Sequence, residues 1–479
     1  MANQRMLKFT TIGRDMPVKR SADTRSMDFA EIYGEFATEK AGEQSGRCSQ
    51  CGVPYCQTHC PLHNNIPDWL RLTAEGRLQE AYEISQETNT FPEICGRICP
   101  QDRLCEGNCV IEQSGHGTVT IGAVEKYIND TAWENGWVKP ITNAGERSES
   151  AAIIGAGPGG LACADMLRRQ GVQVTVYDRY DRAGGLMTYG IPGFKLEKDV
   201  VMKRIRQLEE GGVTFRLNCD VGHDITFDEI RESHDAVLIA TGVYKTRDLQ
   251  APGVGSKGIV RAIDFLTASN RKSFGDDVPE FESGELNAEG RRVVVIGGGD
   301  TAMDCVRTAI RQGATSVKLL YRRDRENMPG SQREVDNAEE EGVEFLWLSS
   351  PKGFSSTDDA VEGVIVQKMR LGQPDATGRQ VPELIEGSDY TEDADLVIKA
   401  LGFEPEELPR LWGVEGLEVT RWGTVLADFR THETSLPGVY ACGDIQRGAS
   451  LVVWAIRDGR EAAQAMMAQF GPRTAIAAE

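Results

Sequence analysis

Eight of the twelve cysteines of this 479-residue chain lie between residues 48 and 109. The first four follow a C-x2-C-x4-C-x3-C pattern with a proline directly after it, and the second four lie in CGRICPQDRLCEGNC. Thiolates at such spacings on tight turns can bind neighbouring irons of one iron–sulfur cluster. Zinc usually takes separated C-x2-C pairs or Cys–His mixtures, and the second set has no such pair. The spacing therefore favours iron–sulfur ligation over zinc. The candidate thiols are Cys48, Cys51, Cys56, Cys60, Cys95, Cys99, Cys105 and Cys109.

The residues alone leave the division of these thiols between clusters open. In bacterial ferredoxins a Cys-Pro pair at the end of such a run ligates the second of two clusters. Cys60-Pro61 follows the same pattern, so a crossed arrangement competes with two consecutive sets of four. His59, His63 and His116 lie nearby, but histidines beside a cluster more often only form hydrogen bonds. We therefore do not include them among the ligands.

The overall composition limits the class of protein. A hydrophobic fraction of 40% and a charged fraction of 26% are typical of a globular protein. The net charge of −20 argues against nucleic acid or an anionic membrane as the main partner. No run of eighteen apolar residues occurs, and the start MANQRMLKFTTIGRD lacks the apolar core of a signal peptide. We therefore expect a cytoplasmic protein, in which clustered cysteines bind metal instead of forming disulfides.

A glycine-rich motif, GAGPGG, lies between two apolar strands and opens a helix. In this G-x-G-x-x-G pattern Gly155 permits the tight turn, Gly157 lets backbone N–H groups approach a pyrophosphate, and Gly160 lets helix and strand pack closely. The helix N-terminus then faces two phosphates. The second strand ends on Asp178, which can accept hydrogen bonds from a ribose. The motif in this context predicts a dinucleotide site.

The same pattern recurs in the second half of the chain as GGGDTA, which again follows a strand and opens a helix. The next strand ends in two arginines instead of an acid. An acid would bind the 2′-hydroxyl of NAD, whereas guanidinium groups suit the 2′-phosphate of NADP. The sequence therefore predicts NADPH, with Arg325 as a further candidate. The predicted NADPH-binding residues are Gly297, Gly299, Asp300, Thr301, Arg322 and Arg323.

Other segments around these motifs carry weaker signals. Near the C-terminus a strand ends in Gly443-Asp444, and a helix is predicted to start around Ala449-Ser450. Such a helix N-terminus would stabilise an anionic reduced flavin ring. MDFAEIYGEFATEKA predicts a short amphipathic helix. Residues 270–290 are polar with Gly and Pro and predict a loop or linker.

Two dinucleotide units with a late Gly-Asp pair resemble the two-dinucleotide flavoproteins, which bind FAD in a discontinuous domain and insert an NAD(P) domain into it. Residues 146–479 contain no redox cysteine pair, so the disulfide reductases of that family are excluded. The resemblance implies an α/β fold in which a mostly helical iron–sulfur domain (1–145) precedes an FAD domain (146–286 and 406–479) interrupted by an NADPH domain (287–405). The FAD residues implied are Gly155, Gly157, Gly159, Gly160, Asp178, Gly185, Leu186, Thr241, Gly242, Gly443, Asp444 and Ser450.

With the cysteine segment added, CGVPYC, GAGPGGL, GGGDTAMD, YRRDR and ACGD resemble the small (beta) subunits of NADPH-dependent glutamate synthase and the N-terminal part of dihydropyrimidine dehydrogenase. This resemblance implies two 4Fe-4S clusters with crossed ligands and Cys95 as a spectator. A symmetric four-plus-four split is the alternative. The first cluster would take Cys48, Cys51, Cys56 and Cys109. The second would take Cys60, Cys99, Cys105 and Glu125, where the dehydrogenase has glutamine.

The resemblance also implies a function. Hydride would pass from NADPH to FAD, and electrons would leave through the clusters to a large (alpha) subunit carrying FMN, which forms glutamate from glutamine and 2-oxoglutarate. The chain has no spare length for an FMN barrel of about 250 residues, and Ala2-Asn3 follow Met1 where an amidotransferase would expose cysteine. We therefore expect an electron-input subunit of a hetero-oligomer. The alternatives are a relative serving another acceptor, such as a pyrimidine reductase or ferredoxin, and a non-catalytic assembly subunit.

Overall fold

The computed structural model describes residues 6–143, 145–375 and 380–472. The first residues of the chain, on which the predictions of no signal peptide and no nucleophilic cysteine partly rest, lie outside the described residues. Within the described ranges, every helix is too short or too polar to cross a lipid bilayer.

The N-terminal unit is helical and packs around buried Trp69 and Leu70. Two of its helices, Pro92–Ile98 and Ile121–Glu134, are in close contact. A Cβ atom on Gly96 of the first would lie 2.6 Å from the backbone nitrogen of Lys126 of the second. That contact brings the second cysteine run against the helix that carries Glu125. After a 3-10 turn at Lys8–Thr10, the helices are α1 (Ala22–Arg25), α2 (Thr38–Ser45), α3 (Tyr55–Thr58), α4 (Ile66–Ala74), α5 (Leu78–Thr88), α6 (Pro92–Ile98), α7 (Val110–Gln113) and α8 (Ile121–Glu134).

Strands and helices alternate in the rest of the chain. The first stretch contains β1 (Ser150–Ile154), α9 (Pro158–Arg169), β2 (Gln173–Tyr177), α10 (Leu186–Tyr189), α11 (Lys198–Glu210), β3 (Thr214–Arg216), α12 (Phe227–Ser233), β4 (Ala236–Ile239) and β5 (Lys245–Thr246). The middle contains β6 (Ile259–Arg261), α13 (Ala262–Ser273), α14 (Pro279–Glu282), β7 (Arg292–Ile296), α15 (Asp300–Arg311), β8 (Ser316–Leu320), α16 (Gln332–Glu340), β9 (Glu344–Leu346), β10 (Ser349–Thr357), β11 (Ala360–Pro374), β12 (Gln380–Leu384), β13 (Tyr390–Asp393) and β14 (Leu396–Lys399). The end contains β15 (Phe403–Glu404), α17 (Leu408–Trp412), β16 (Val439–Ala441), α18 (Asp444–Arg447) and α19 (Val452–Phe470).

Two parallel sheets organise these elements into a first and a second unit. The first sheet has the order β16-β4-β1-β2-β3, and the second has β6-β14-β7-β8-β9. An antiparallel sheet of β10 to β13 covers part of the second unit. The antiparallel pair β5–β15 marks where the chain leaves the first unit and returns to it. This order confirms the predicted fold class, a helical domain followed by two Rossmann-like domains with the second inserted in the first.

The second unit begins earlier than the predicted boundary at residue 287. Strand β6 pairs with β14 in parallel, with Ile259 opposite Val397, and the following helix α13 packs on the second core. Residues 270–290 are likewise not one loop, because α13 runs to Ser273 and α14 follows. Apart from buried Asn270, their polar residues lie on exposed or half-exposed faces and turns, so composition alone did not separate helix from linker.

The helix predicted in MDFAEIYGEFATEKA is wrong for most of its length. Residues 27–37 contain no helix, and α2 starts only at Thr38. The backbone of this stretch bonds to residues before it instead, with Arg20 N–H donating to the Ile32 carbonyl and Gly34 N–H donating to the Val18 carbonyl, both at 2.9 Å. These long-range partners satisfy the backbone, so the amphipathic pattern does not form a helix.

Candidate cofactor sites

A cavity of about 370 Å³ opens at the carboxyl edge of the first sheet. The predicted residues meet there because β1, β2, β4 and β16 are parallel and all end at this edge. The predicted FAD residues that line this cavity are Gly155, Gly157, Gly159, Asp178, Gly185, Leu186, Thr241, Gly242, Gly443, Asp444 and Ser450.

Gly160 contributes to this site through packing only. A Cβ on Gly160 would lie 2.1 Å from the Gly155 carbonyl oxygen. Any side chain at this position would therefore prevent helix α9 from packing closely against β1. Gly155 itself has φ of +112°, and a Cβ there would lie 2.3 Å from the carbonyl oxygen of Ala240. Gly157 has no neighbouring atom within 4 Å of where its Cβ would be, which leaves its backbone open to a ligand.

The polar groups of the cavity suit a flavin dinucleotide. The Thr241 hydroxyl is buried and has no hydrogen-bond partner among the described residues, so a ligand atom could satisfy it. Asp178 accepts hydrogen bonds from the N–H groups of Ala156 (2.7 Å) and Tyr180 (2.9 Å). Asp444 accepts from the Ser450 hydroxyl (2.7 Å), and burial raises the pKa of Asp444 to about 6. Helix α19 starts at Val452, two residues later than predicted, and its first turn lines the cavity.

A second cavity of about 240 Å³, the junction cavity, lies between all three units. Cys95 and Cys99 line it from the helical unit, and Asp300 and Thr301 line it from the start of α15 in the second unit. Part of the wall that the first unit contributes to the junction cavity also lines the first cavity. The shared residues are Leu186, Ser450, Leu451 and Val452. The two cavities are therefore neighbours.

The predicted NADPH residues lie on the loop before α15, in the first turn of α15, and after β8. Gly297 has φ of +152°, and a Cβ there would be 2.2 Å from the Ala400 carbonyl oxygen. Gly299 has open space where a Cβ would be. Arg322 is exposed, and the buried Nε of Arg323 has no hydrogen-bond partner in the described part of the chain. Such an unpaired guanidinium fits an anionic ligand.

Arg325 differs from these two arginines. It forms a salt bridge to Glu339 at 2.7 Å and another to Asp336. Its charge is already compensated by the neighbouring helix α16, so it is a weaker candidate for phosphate than Arg322 or Arg323.

Sequence analysis missed an ion pair in the junction cavity. Lys195 Nζ lies 2.8 Å from Asp304, and both residues line the cavity. Burial raises the pKa of Asp304 to about 6, although Lys195 lowers it. A sequence signal existed: Asp304 lies four residues after Asp300 and so on the same face of α15. Lys195 lies in the first unit, and it belongs to no sequence motif that could have identified it.

Four of the candidate thiols line one small cavity in the helical unit: Cys48, Cys51, Cys56 and Cys109. Burial raises the pKa of Cys48 to about 11 and that of Cys56 to about 12. Thiols buried in this way stay protonated unless a cation stabilises the thiolate. Cys60, the fourth member of the first run, does not line this cavity.

Cys60 lies instead with the second group. Burial raises the pKa of Cys60 to about 12, with Glu125 and Cys95 adding to the rise. Cys99 hydrogen-bonds Cys95, and that bond raises the pKa of Cys99 well above its usual value. Burial likewise raises the pKa of Cys105 well above its usual value, and the neighbouring Glu106, Cys60 and Glu125 add to the rise.

Glu125 is buried beside these thiols on α8. Its carboxylate accepts hydrogen bonds from Asn64 (2.9 Å) and Asn89 (3.3 Å). Burial raises the pKa of Glu125 to about 8 against the effect of these two bonds. The described residues contain no group of three or more Cys, His, Asp or Glu already arranged around one ion.

Comparison with known proteins identifies the family. Residues 25–137 match the family model described as dihydropyrimidine dehydrogenase domain II, 4Fe-4S cluster, and residues 149–459 match pyridine nucleotide-disulphide oxidoreductase. The glutamate synthase (NADPH) small chain of Azospirillum brasilense is 65% identical over 468 residues, which cover 98% of this chain and 97% of the relative. The chain belongs to the glutamate synthase (NADPH) small chain family.

Two further relatives and one solved structure are similar to this chain in sequence or in fold. The Escherichia coli glutamate synthase (NADPH) small chain is 45% identical over 97% of this chain and 99% of its own length. The putative oxidoreductase AegA of Escherichia coli is 44% identical over 97% of this chain and 71% of its own length. The structure of Mycobacterium tuberculosis FprA in complex with NADPH has a TM-score of 0.56 at 21% identity, covering 68% of this chain and 85% of that one, and shows the shared fold.

These findings confirm the resemblance to the small chain family predicted from the motifs. They make the chain an oxidoreductase with a 4Fe-4S domain and a pyridine nucleotide domain.

Proposed function

We propose that this chain is the electron-input subunit of a cytoplasmic glutamate synthase hetero-oligomer. It takes electrons from NADPH into bound FAD and passes them through two 4Fe-4S clusters to a large subunit that carries FMN. That subunit would form L-glutamate from glutamine and 2-oxoglutarate. The observation that carries this proposal is the junction cavity, since one space is lined by the flavin wall, the NADPH helix and cysteines of the helical unit.

The chain's own residues bind and orient the two nucleotides. Gly157 and the start of α9 would face the FAD pyrophosphate, while Asp178 and Asp444, which line the same cavity, would accept hydrogen bonds from hydroxyls of the dinucleotide. Gly299 and the start of α15 would face the NADPH phosphates, and Arg323 the 2′-phosphate. Bound flavin supplies the chemistry that turns a hydride donor into a source of single electrons.

We assign the iron–sulfur ligands in the crossed pattern. Cys48, Cys51, Cys56 and Cys109 would hold one cluster, and the shared cavity of their thiols supports this set. The other would be held by Cys60, Cys99, Cys105 and Glu125, with Cys95 as a spectator. Cys60 lies close to Glu125, Cys99 and Cys105, which supports placing this thiol in the second set.

Anaerobic addition of NADPH to the purified, FAD-loaded chain tests the electron-input role. We expect the visible absorbance of the flavin to bleach on NADPH addition, and the cluster signals in electron paramagnetic resonance (EPR) to develop afterwards. NADH at the same concentration is the control and is expected to bleach the flavin more slowly. A flavin that stays oxidised with NADPH would support a non-catalytic assembly subunit instead.

The identity of the acceptor needs a separate experiment. A tagged pull-down from the native host should capture a large subunit with bound FMN, and the complex should couple NADPH oxidation to glutamate formation. A second candidate is a reductase subunit for another acceptor, such as a pyrimidine reductase or ferredoxin. The 44% identity to a putative oxidoreductase favours it. NADPH oxidation without glutamate formation by the captured complex would select that candidate.

Glu125→Ala is expected to perturb one cluster only. The carboxylate lies among the thiols of the second group and away from the cavity of the first, so one EPR signal should change while the other stays. Glu125→Gln is the control and should retain both clusters, because an amide oxygen occupies the same position. Two unchanged signals in the alanine variant would reject the ligand role of Glu125.

A further inference from the structure

Residues 16–34, which we call the strap, contact all three units of the molecule. Glu31 forms salt bridges to Arg97 (2.6 Å) and Lys126 (3.4 Å) in the helical unit. Phe29 packs on Phe194 of the first unit, with ring centroids 6.3 Å apart. The strap is therefore bound to the helical unit through Glu31 and to the first unit through Phe29.

Two cations of the strap bind the second unit at the C-terminal end of α16. Arg25 is only 1% exposed, and its Nε lies 2.7 Å from Glu341 while another guanidinium nitrogen lies 2.7 Å from Glu340. Lys19 binds Glu340 at 2.6 Å from the exposed side. A buried arginine bound to two carboxylates is a strong, directional contact, unlike an exposed surface pair.

Glu341 passes this contact on to the helix that begins the NADPH site. Its carboxylate also binds Arg307 (2.8 Å) and Arg311 (2.6 Å), both on α15. Burial opposes its charge, but the hydrogen bonds from Arg311 and Arg307 outweigh burial and lower the pKa of Glu341 to about 2. The carboxylate therefore stays charged at neutral pH and fixes three arginines around one point.

The same arginines reach back to the first unit. The guanidinium carbons of Arg307 and Arg311 lie 4.4 Å and 4.0 Å from the ring centroid of Phe194, which also packs against the strap. Phe194 is directly followed by Lys195, which binds Asp304 of α15 in the junction cavity. The strap contact and the junction cavity are thus connected through α15 and Phe194.

Hydride transfer requires the second unit to be held rigidly against the first unit. The second unit is an insertion that the chain enters and leaves once, near the pair β5–β15, and domains joined in this way move relative to each other unless other contacts hold them. The nicotinamide must approach the flavin at near-contact distance, and a misplacement of about 1 Å can cost about 100-fold in rate. The strap also forms part of the cavity wall, with Met16, Pro17, Ile32 and Tyr33.

We infer that Arg25 is a positioning residue for hydride transfer, which locks α15 and the NADPH unit against the flavin unit through Glu341. This inference rests on the proposed NADPH–FAD function. Arg25 touches neither nucleotide site, so its effect must pass through Glu341 and Arg307.

Stopped-flow reduction of the FAD-loaded holoprotein by NADPH tests this role in Arg25→Ala. We expect the reduction rate at saturating NADPH to fall about tenfold, because the productive arrangement is populated less often. The Kd for NADP+ should change less than about twofold, because the predicted NADPH-binding residues are untouched. Amide hydrogen exchange should rise in residues 16–34 and 332–341.

Arg20→Ala is the matched control. Arg20 lies in the same strap but pairs with Asp28 of the strap itself at 2.8 Å, so its loss should leave the reduction rate unchanged. An unchanged rate in Arg25→Ala with full flavin and iron content, or an equal loss in Arg20→Ala, would overturn the inference.

Lys19→Ala decides the outcome if Arg25→Ala does not fold. This half-exposed residue binds Glu340, one of the two carboxylates that Arg25 binds, so we expect a loss of about twofold to threefold in the saturating rate. No change would overturn the inference. Failure of NADPH to reduce the wild-type flavin would instead overturn the proposed function on which it rests.

Discussion

Cys60→Ala is expected to abolish the same EPR signal as Cys99→Ala, and Cys109→Ala the same signal as Cys48→Ala. The structure places the Cys109 thiol in the cavity of Cys48, although 61 residues separate them, and places Cys60 near Cys99, which comes 39 residues later. Each variant should lose about half of the bound iron and its electron delivery to an external acceptor should fall to background, because one cluster interrupts the relay. Iron analysis and EPR of the reduced variants measure both effects.

Flavin reduction by NADPH should survive in all four variants, because the flavin cavity lies in another unit. That separation distinguishes a broken relay from a misfolded chain. Cys95→Ser is the matched control, since Cys95 is buried beside Cys99 but is predicted not to ligate iron; both signals should persist. If Cys60→Ala matched Cys48→Ala instead, the thiols would divide in sequence order, four and four.

The residues that line the first cavity could be predicted to lie together from the sequence because their positions follow from short-range rules. A glycine with φ of +112° directly after a buried strand, such as Gly155, is needed for the turn itself. Parallel strands then bring Asp178, Thr241 and Asp444 to one edge whatever the intervening segments do. The local pattern and the topology agree here, and the prediction needed no long-range contact.

The strap and the junction cavity could not be predicted in this way. Arg25 meets Glu341 across 316 residues, and Lys195 meets Asp304 across 109. No periodicity records such pairs, because each partner belongs to a different unit. The same competition explains why the helix predicted over residues 27–37 does not form. An amphipathic pattern is present there, but hydrogen bonds with residues 18–20 and contacts to two other units outweigh the local preference.

The boundary at residue 287 was predicted too late for a related reason. Strand β6 is three residues long and lies at the edge of the second sheet, so it has little pattern of its own. Only its pairing with β14, more than a hundred residues later in the chain, assigns it to the second unit. A short edge strand is recognised by the strand with which it pairs. That pairing is a long-range contact, which a local sequence pattern does not record.

Replacing both Arg322 and Arg323 by alanine is expected to lower kcat/KM for NADPH by about 100-fold or more. Each hydrogen bond to a charged group contributes about 1.5–3 kcal/mol, and about 1.4 kcal/mol corresponds to a tenfold change. The value for NADH should change less than about twofold, since NADH lacks the 2′-phosphate that these guanidinium groups would bind. Anaerobic flavin reduction at varied NADPH and NADH concentrations measures both.

Arg325→Ala separates phosphate recognition from the general loss of positive charge. It removes one charge from the same turn, but that arginine is already paired with Glu339 and Asp336, so NADPH and NADH use should both stay close to wild type. Equal losses for the two nucleotides in the Arg322/Arg323 double variant would show that these arginines support the loop and do not select the phosphate. A loss confined to NADPH would instead support binding of the 2′-phosphate by these arginines, in agreement with the buried Nε of Arg323, which has no hydrogen-bond partner among the described residues.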